Sequence, residues 1–402
     1  MGLTAKERRS ATKVTAARYQ KATKKLKGII LEEFAALTGY DRCYAAYLLR
    51  THGKKVYAGG NTIFVADVGT KATKPRNRVY DKLVFTALLN IWSIMDCICG
   101  KRLAPTLKEL VPLLQKHREI TLDAATKGKL LTISAATIDR MLRAERKKQQ
   151  LKGRSHTKPG TLLKHQIPIR TFAQWDDKRP GFVEIDLVGH DGGDPSGDFA
   201  QTLNVTDIAT GWTEAQAVKN KAQQWVFEAI TDMRVRFPFD ILGIDSDNGA
   251  EFINNHLYQY CKEEKITFTR ARSSRKNDNC FIEQKNYSVV RRAVGYMRHD
   301  TQLELEILNE LYGFLRLYSN FFQPVMKLLE KTRIGSKVKK KYDKAQTPYQ
   351  RVLASPDVPK ETKKQLRSQY RKLNPAELKR KIENLQQRLI QVASNRHKKR
   401  LQ

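Results

Sequence analysis

The chain has 402 residues, 40% of them hydrophobic, and a formal charge of +34 from 75 Lys and Arg against 41 Asp and Glu. That size and apolar content suit two to four folded domains, and the charge calls for a polyanionic partner, with nucleic acid preferred over an anionic lipid surface. Five scattered cysteines without a CxxC pair argue against a disulfide framework or a cysteine-rich zinc module, and no apolar run has the length of a membrane span or the form of a signal peptide, so a cytoplasmic, nucleoid-associated protein is expected.

The charge is uneven. Residues 166–300 hold 17 Lys and Arg against 20 Asp and Glu, a net of −3, which leaves about +37 on the flanks. Basic flanks around a neutral-to-acidic middle suggest that the flanks hold nucleic acid and the middle does chemistry.

In chain order, residues 1–27 read as a fraying basic helix or a disordered arm. IILEEFAALTGYDRCYAAYLLR (29–50) reads as two helices broken at Thr38-Gly39, the second capped by Asp41: a helix-turn-helix pattern with basic flanks. Residues 80–98 are helical by spacing, and Pro105 is expected to open another helix carrying Leu107, Leu110 and Leu113. LLTISAATIDRMLRAERKK (130–148) reads as turn plus helix, with Ser134 as N-cap and Ile138, Met141 and Leu142 as the buried stripe. Arg140, Arg143 and Lys147 on its outer side make it the better recognition-helix candidate. Residues 149–170 read as a linker. Beyond the middle region, KVKKKYDK (337–344) is a charge run. A helix from Asn374-Pro375 then carries Leu378, Ile382, Leu385, Leu389 and Val392 at heptad spacing, a short seam that suits intramolecular packing better than a coiled coil.

Within the middle region, FVEIDLVGH (182–190) alternates as a strand, AQTLNVTDIAT and GWTEAQAV continue as strands, and QQWVFEAITDMRVRF (223–237) is helical. Ile241–Ile244 reads as a buried strand that breaks at SDNG into a helix; ITFTRAR is a fifth strand and 277–296 a helix. The order strand, strand, strand, helix, strand, helix, strand, helix is that of a ribonuclease H-like α/β core. The expected domains are therefore a basic arm plus helix-turn-helix (1–60), a second helical DNA-binding domain (61–148), a linker (149–170), the catalytic core (171–325), and a basic, mostly helical C-terminal region (326–402).

Three carboxylates stand at functional places in this order: Asp186 in the first strand, Asp247 just past the fourth, and Glu283 in the last helix, with 35 residues between Asp247 and Glu283. Phosphoryl transfer on DNA needs two divalent ions about 4 Å apart held by carboxylate oxygens. Mg²⁺, or Mn²⁺, with water and substrate phosphate filling the remaining positions, suits three such residues. Asp245 competes with Asp247 and Glu184 with Asp186. Asp245, Asn248, Asn277 and Asn279 are candidates for supporting positions around the site.

The segments EIDLVGH around Asp186, IDSDNGAEF around Asp247 and RKNDNCFIEQKN around Glu283, with the 35-residue interval, resemble the DDE-type, retroviral-integrase-like core of bacterial insertion-sequence transposases over about residues 175–325. The resemblance implies catalysis and metal binding by Asp186, Asp247 and Glu283, cleavage of element ends, and transfer of the 3′-OH to target DNA. It also implies double-stranded DNA as partner and a homodimer or higher oligomer on paired ends. Many relatives carry a basic residue two turns after the Glu; here position 290 is Val, and Lys285, Arg291 or Arg292 are the candidates to replace that phosphate contact. Two other readings are a metal-dependent nuclease on the same fold and a non-catalytic DNA-binding regulator. No Walker-type nucleotide motif occurs.

Overall fold

The computed structural model describes residues 3–57, 63–65, 79–148, 179–246, 249, 251–252, 255–270 and 280–401. The chain divides into two units, Met1–Val79 and Tyr80–Gln402.

In the first unit, α1 (Ala5–Lys21), α2 (Lys24–Thr38) and α3 (Arg42–Thr51) enclose a small core of Ala16, Leu31, Phe34, Ala45 and Leu49. Residues 5–21, expected to fray, are a helix closed by a reciprocal Thr4–Glu7 capping box and held by the burial of Ala16. The break between α2 and α3 lies where Gly39 takes φ +67°, a conformation that glycine adopts without a Cβ penalty, and Asp41 caps α3 through the amides of Cys43 and Tyr44. A short antiparallel pair, β1 (Lys55–Tyr57) and β2 (Ile63–Val65), follows.

The second unit opens with α4 (Lys82–Ile94), α5 (Gly100–Lys116), α6 (Ala124–Thr132), α7 (Ala135–Met141) and α8 (Arg143–Lys148). Asp81, Asp123 and Ser134 cap α4, α6 and α7 through their side chains. Helix α5 begins five residues before Pro105. Its first amide, on Gly100, donates to Asp139 Oδ1 of α7 at 2.8 Å, and a Cβ on Gly100 would lie 2.2 Å from the Ala135 carbonyl oxygen. A distant partner therefore sets this helix start. Pro105, the sixth residue of α5, gives up the bond to the Lys101 carbonyl and Pro112 that to the Lys108 carbonyl, losses that the buried Leu103, Leu107, Leu110 and Leu114 offset.

The sheet comprises β3 (Phe182–Gly189), β4 (Gln201–Asp207), β5 (Thr213–Val218), β6 (Gly243–Ser246) and β7 (Thr267–Arg270), in the order β5-β4-β3-β6-β7. The first three form an antiparallel meander, and β6 and β7 run parallel to β3. With α9 (Gln223–Arg234) and α10 (Asn255–Glu263) as the crossovers, this is the connectivity expected of a ribonuclease H-like core. Strand β6 runs two residues later than the apolar run suggested, because Gly243 pairs with both Phe182 and Thr267 while Leu242 instead donates to the Gly181 carbonyl.

The last core helix begins as α11 (Cys280–Lys285), widens to a π-helical segment (Asn286–Arg291) and closes as α12 (Arg292–Val294). Helix α13 (Gln302–Phe322) then covers edge strand β5. Asn309 hydrogen-bonds both backbone groups of Ala217, and Asn320 both backbone groups of Thr213, which satisfies an edge that would otherwise be open to another strand.

After α13 the chain forms an antiparallel hairpin, β8 (Leu328–Ile334) and β9 (Lys337–Tyr342), then α14 (Pro348–Ala354), α15 (Lys360–Lys372) and α16 (Pro375–Leu401). The charge run at 337–344 is thus mostly strand. The heptad seam of α16 is occupied within the chain: Leu378, Ile382, Leu385 and Leu389 are buried in the same core as Leu308, Leu311 and Leu315 of α13.

The expected boundaries between 61–148, 171–325 and 326–402 are crossed by many bonds. Arg102 donates to the Pro324 carbonyl, Tyr318 Oη to the Ile94 carbonyl and Gln323 Nε2 to the Met95 carbonyl, while Lys379 pairs with Asp96 at 2.9 Å and Arg380 with Glu119 at 2.8 Å. Helices α4–α8 are part of the body that holds the sheet. The expected linker at 149–170 lies outside the described residues.

Candidate active site

Along β3, alternation sends Glu184 and Asp186 to the face covered by α11 and the π segment. Glu184 is fully buried, and its Oε2 accepts from the Ile282 amide at 2.9 Å in the first turn of α11, where free amides favour a carboxylate. That bond docks the helix on the strand. Asp186, one step nearer the strand's end, is half-buried; its Oδ2 accepts from Asn286 Nδ2 at 2.6 Å and its Oδ1 from the Leu187 amide at 2.8 Å. Across the sheet Asp186 pairs in register with Asn204, whose Nδ2 donates to Asn286 Oδ1 at 2.8 Å. One asparagine thus spans two neighbouring strands and fixes the carboxylate between them.

Glu283 is exposed and lies three residues before Asn286, on the same side of its helix. Helical neighbours at this spacing have Cβ atoms about 5–6 Å apart, so the bonds of Ile282 and Asn286 bring Glu283 to the Asp186 end of β3. Asp247, Asn248, Asn277 and Asn279 lie outside the described residues. Ser246, which precedes Asp247, pairs in register with Ile185, which precedes Asp186. Asp245 is buried, in register with Glu184 on one side and Thr269 on the other, and its Oδ1 accepts from Thr269 Oγ1 at 2.5 Å. It occupies a packed position beneath the surface, as Glu184 does, whereas Asp186 and Glu283 reach solvent.

Asn286 and Asn204 were not among the sequence candidates. A signal for Asn286 was present: Glu283-x-x-Asn286 places an amide one turn from the carboxylate, on the same helix face. Asn204 carried none, because its place opposite Asp186 depends on strand pairing.

Oxygen donors on two adjacent elements suit Mg²⁺ or Mn²⁺, which take one or two carboxylates and fill the remaining positions with water and substrate oxygen. Among the described residues no three His, Cys, Asp or Glu side chains gather closely enough to hold a metal ion. The expected third ligand, Asp247, is outside them.

The basic candidates separate into two groups. Arg140, Arg143 and Lys147 are exposed on α7 and α8, while Ile138 and Leu142 are fully buried beneath them. The three residues near Glu283 are engaged inside the body. Lys285 is only 8% exposed, and burial, reinforced by the nearby Arg102 charge, pushes its ammonium down to about 7. Arg291 donates to the carbonyls of Gly189 and Gly295 and lies over the Tyr296 ring; Arg292 pairs with Asp96 at 2.6 Å. As folded, none of these three is a free phosphate ligand at the surface, because their charges serve internal contacts or lie beneath it.

No protein-family model matches the chain. It is 38% identical over 325 residues to "Uncharacterized protein y4rM" of Sinorhizobium fredii (strain NBRC 101917 / NGR234), covering 81% of this chain and 89% of that protein. Among solved structures, the catalytic core domain of BIV integrase is 18% identical with a TM-score of 0.29, covering 42% of this chain and 91% of that one. The HTLV-2 integrase catalytic core domain in complex with magnesium is 12% identical with a TM-score of 0.28, covering 36% and 90%.

Proposed function

The chain belongs to the family of the uncharacterized protein y4rM of Sinorhizobium fredii, and we propose that it is a DDE-type transposase or integrase that cuts DNA at element ends and joins the 3′-OH to target DNA. The observation that carries this reading is the Asp186–Asn286–Asn204 bridge, which orients a solvent-reaching carboxylate and brings the Glu283 helix turn beside it.

In the proposed mechanism Asp186, Asp247 and Glu283 would hold the divalent ions, beside which the scissile phosphate and the attacking hydroxyl would be positioned. Two Mg²⁺ or Mn²⁺ ions there would supply the positive charge that stabilises the phosphoryl transition state and eases ionisation of the attacking group. Asn286 holds Asp186 in one rotamer, so its oxygens need not reorganise as charge develops. Water is the attacking group in cleavage and the freed 3′-OH in joining. One phosphodiester replaces another in the second step, so no nucleotide cofactor is consumed.

DNA would be held by surfaces outside the sheet. Exposed Tyr44, Tyr47 and Arg50 line α3 of the first helical unit, and Arg140, Arg143 and Lys147 line α7 and α8. The β8–β9 hairpin adds Arg333, Lys339, Lys340 and Lys341, all exposed, on a two-stranded ribbon of a width that a DNA major groove admits. Joining two ends requires two active sites, hence at least two chains related as the ends are.

The test is incubation of the full chain with duplex carrying the ends of its own element, Mg²⁺ and target DNA. Cleaved ends joined to target are expected, with none in excess chelator. Cleavage without joining would instead leave a nuclease on this fold. DNA binding with no metal-dependent product would leave a regulator.

A further inference from the structure

On the far side of the α11–π helix from Glu283 and Asn286 lies a second site of concentrated charge. A cavity of about 70 Å³ opens between α5, this helix and α16, with Arg102, Lys285, Arg292 and Lys379 in its wall and Asp96 as its acidic member. Asp96 is already shared, accepting from Lys379 at 2.9 Å and pairing with Arg292 at 2.6 Å. The Arg102 guanidinium meets only neutral oxygens, the Pro324 carbonyl and Gln323 Oε1. Lys285, more than nine-tenths buried, has no hydrogen-bond or ion-pair partner among the described residues. Among the described residues neither Arg102 nor Lys285 is in an ion pair; Asp96 acts on Arg102 only from a distance, and no acidic group offsets Lys285, in a place where burying an unbalanced ion costs several kcal/mol.

We propose that this cavity binds a phosphate-sized oxyanion, held by Arg102 and Lys285. Water occupies about 30 Å³ per molecule in the liquid, so the cavity has room for a small tetrahedral oxyanion. The guanidinium offers paired N–H donors and the ammonium three, a donor set that matches an oxyanion's several acceptor oxygens. The bound anion ties α5 to the helix bearing Glu283. Inorganic phosphate and a phosphate of DNA share this chemistry.

Thermal unfolding of the full chain, followed against inorganic phosphate at constant ionic strength with chloride as reference, tests it. The expected result is a saturable rise in midpoint, on the order of 5 °C once phosphate exceeds its dissociation constant a hundredfold. Lys285→Met removes the unbalanced charge at similar volume, so it should raise the midpoint without phosphate and abolish the phosphate-dependent rise. Lys339→Ala, on the exposed hairpin, should keep that rise. Should Lys285→Met fail to fold, ³¹P line broadening of phosphate by the unaltered chain reads the same site. Absence of saturable phosphate binding, or a rise of equal size in Lys285→Met, overturns the proposal. With the site established, displacement of phosphate by duplex assigns the DNA backbone as its source, and retention assigns the free anion.

Discussion

Asn286 donates to Asp186 at 2.6 Å and so removes rotamers of that carboxylate, as an outer hydrogen-bond partner would for the metal ligand proposed there. Outer partners of this kind are worth roughly 10–100-fold in metal affinity or activity. Asn286→Ala should therefore raise the Mg²⁺ concentration needed for half-maximal cleavage by about that factor while leaving DNA affinity unchanged; an unaltered metal requirement would show that the bridge is only structural. Asp186→Asn, Asp247→Asn and Glu283→Gln would each remove the charge of a proposed ligand outright with little change of shape. Each should cost on the order of 10²-fold or more in cleavage and joining, comparable to deleting one preorganised transition-state group. Near-normal strand transfer by any of the three would remove that residue from the mechanism. Glu184 and Asp245 carry the same functional group two residues before Asp186 and Asp247, but both are buried and spend it on protein partners, Ile282 and Thr269.

The β8–β9 hairpin and helix α16 had the same kind of sequence signal, a periodic or charged run, and took opposite places. On the hairpin, Lys339, Lys340 and Lys341 alternate between two solvated faces. Each lysine that neutralises a DNA phosphate contributes about 0.9 to the slope of log K against log salt. Changing all three to Ala should weaken duplex binding and reduce that slope by about 2–3; a slope unchanged by the triple substitution would take the ribbon away from DNA. On α16 the apolar repeat is satisfied by α13 of the same chain. Leu389→Ala should cost about 2–5 kcal/mol of stability in a denaturant titration, as truncation of a buried leucine does. A Leu389→Ala chain of unchanged stability but altered oligomeric state would move the seam to an interface between chains.

Over the whole molecule, cross-links between distant segments decide that residues 80–402 form one unit. Glu119, three residues past the end of α5, takes a two-pronged hydrogen bond from Arg380 of α16 at 2.8 Å on each arm and a further bond from Asn374 at 2.6 Å. The Arg380 hydrogen bonds lower the Glu119 carboxyl to about 2 against an ordinary 4.5, with partial burial opposing and Asn374 assisting. The folded pKa is depressed, so the stability from this pair is complete above pH 4.5 and is lost as pH falls towards 2. Glu119→Gln should be less stable at neutral pH and should flatten the pH dependence of stability between about 4.5 and 2. Equal slopes for both proteins over that interval would show that the pair contributes nothing.

The sequence by itself determined what depends on near neighbours and on the arrangement of charge. Asp41 and Ser134 cap their helices because a side chain needs only the amides two or three residues on, and strands, crossovers and the pattern of charge along the chain could be read from local periodicity. Asp186 stood out as a carboxylate near a strand's end, and Glu283 by its distance from Asp247. The tertiary structure alone decided which groups meet across the chain. Asn204 reaches the site through pairing 18 residues away from Asp186, α5 starts where Asp139 caps it from 39 residues off, and Lys285, charged and polar in sequence, is buried in a cavity wall it shares with Arg102 and Lys379. Such contacts follow from register and packing, which depend on all the elements at once and leave no mark at a fixed sequence spacing.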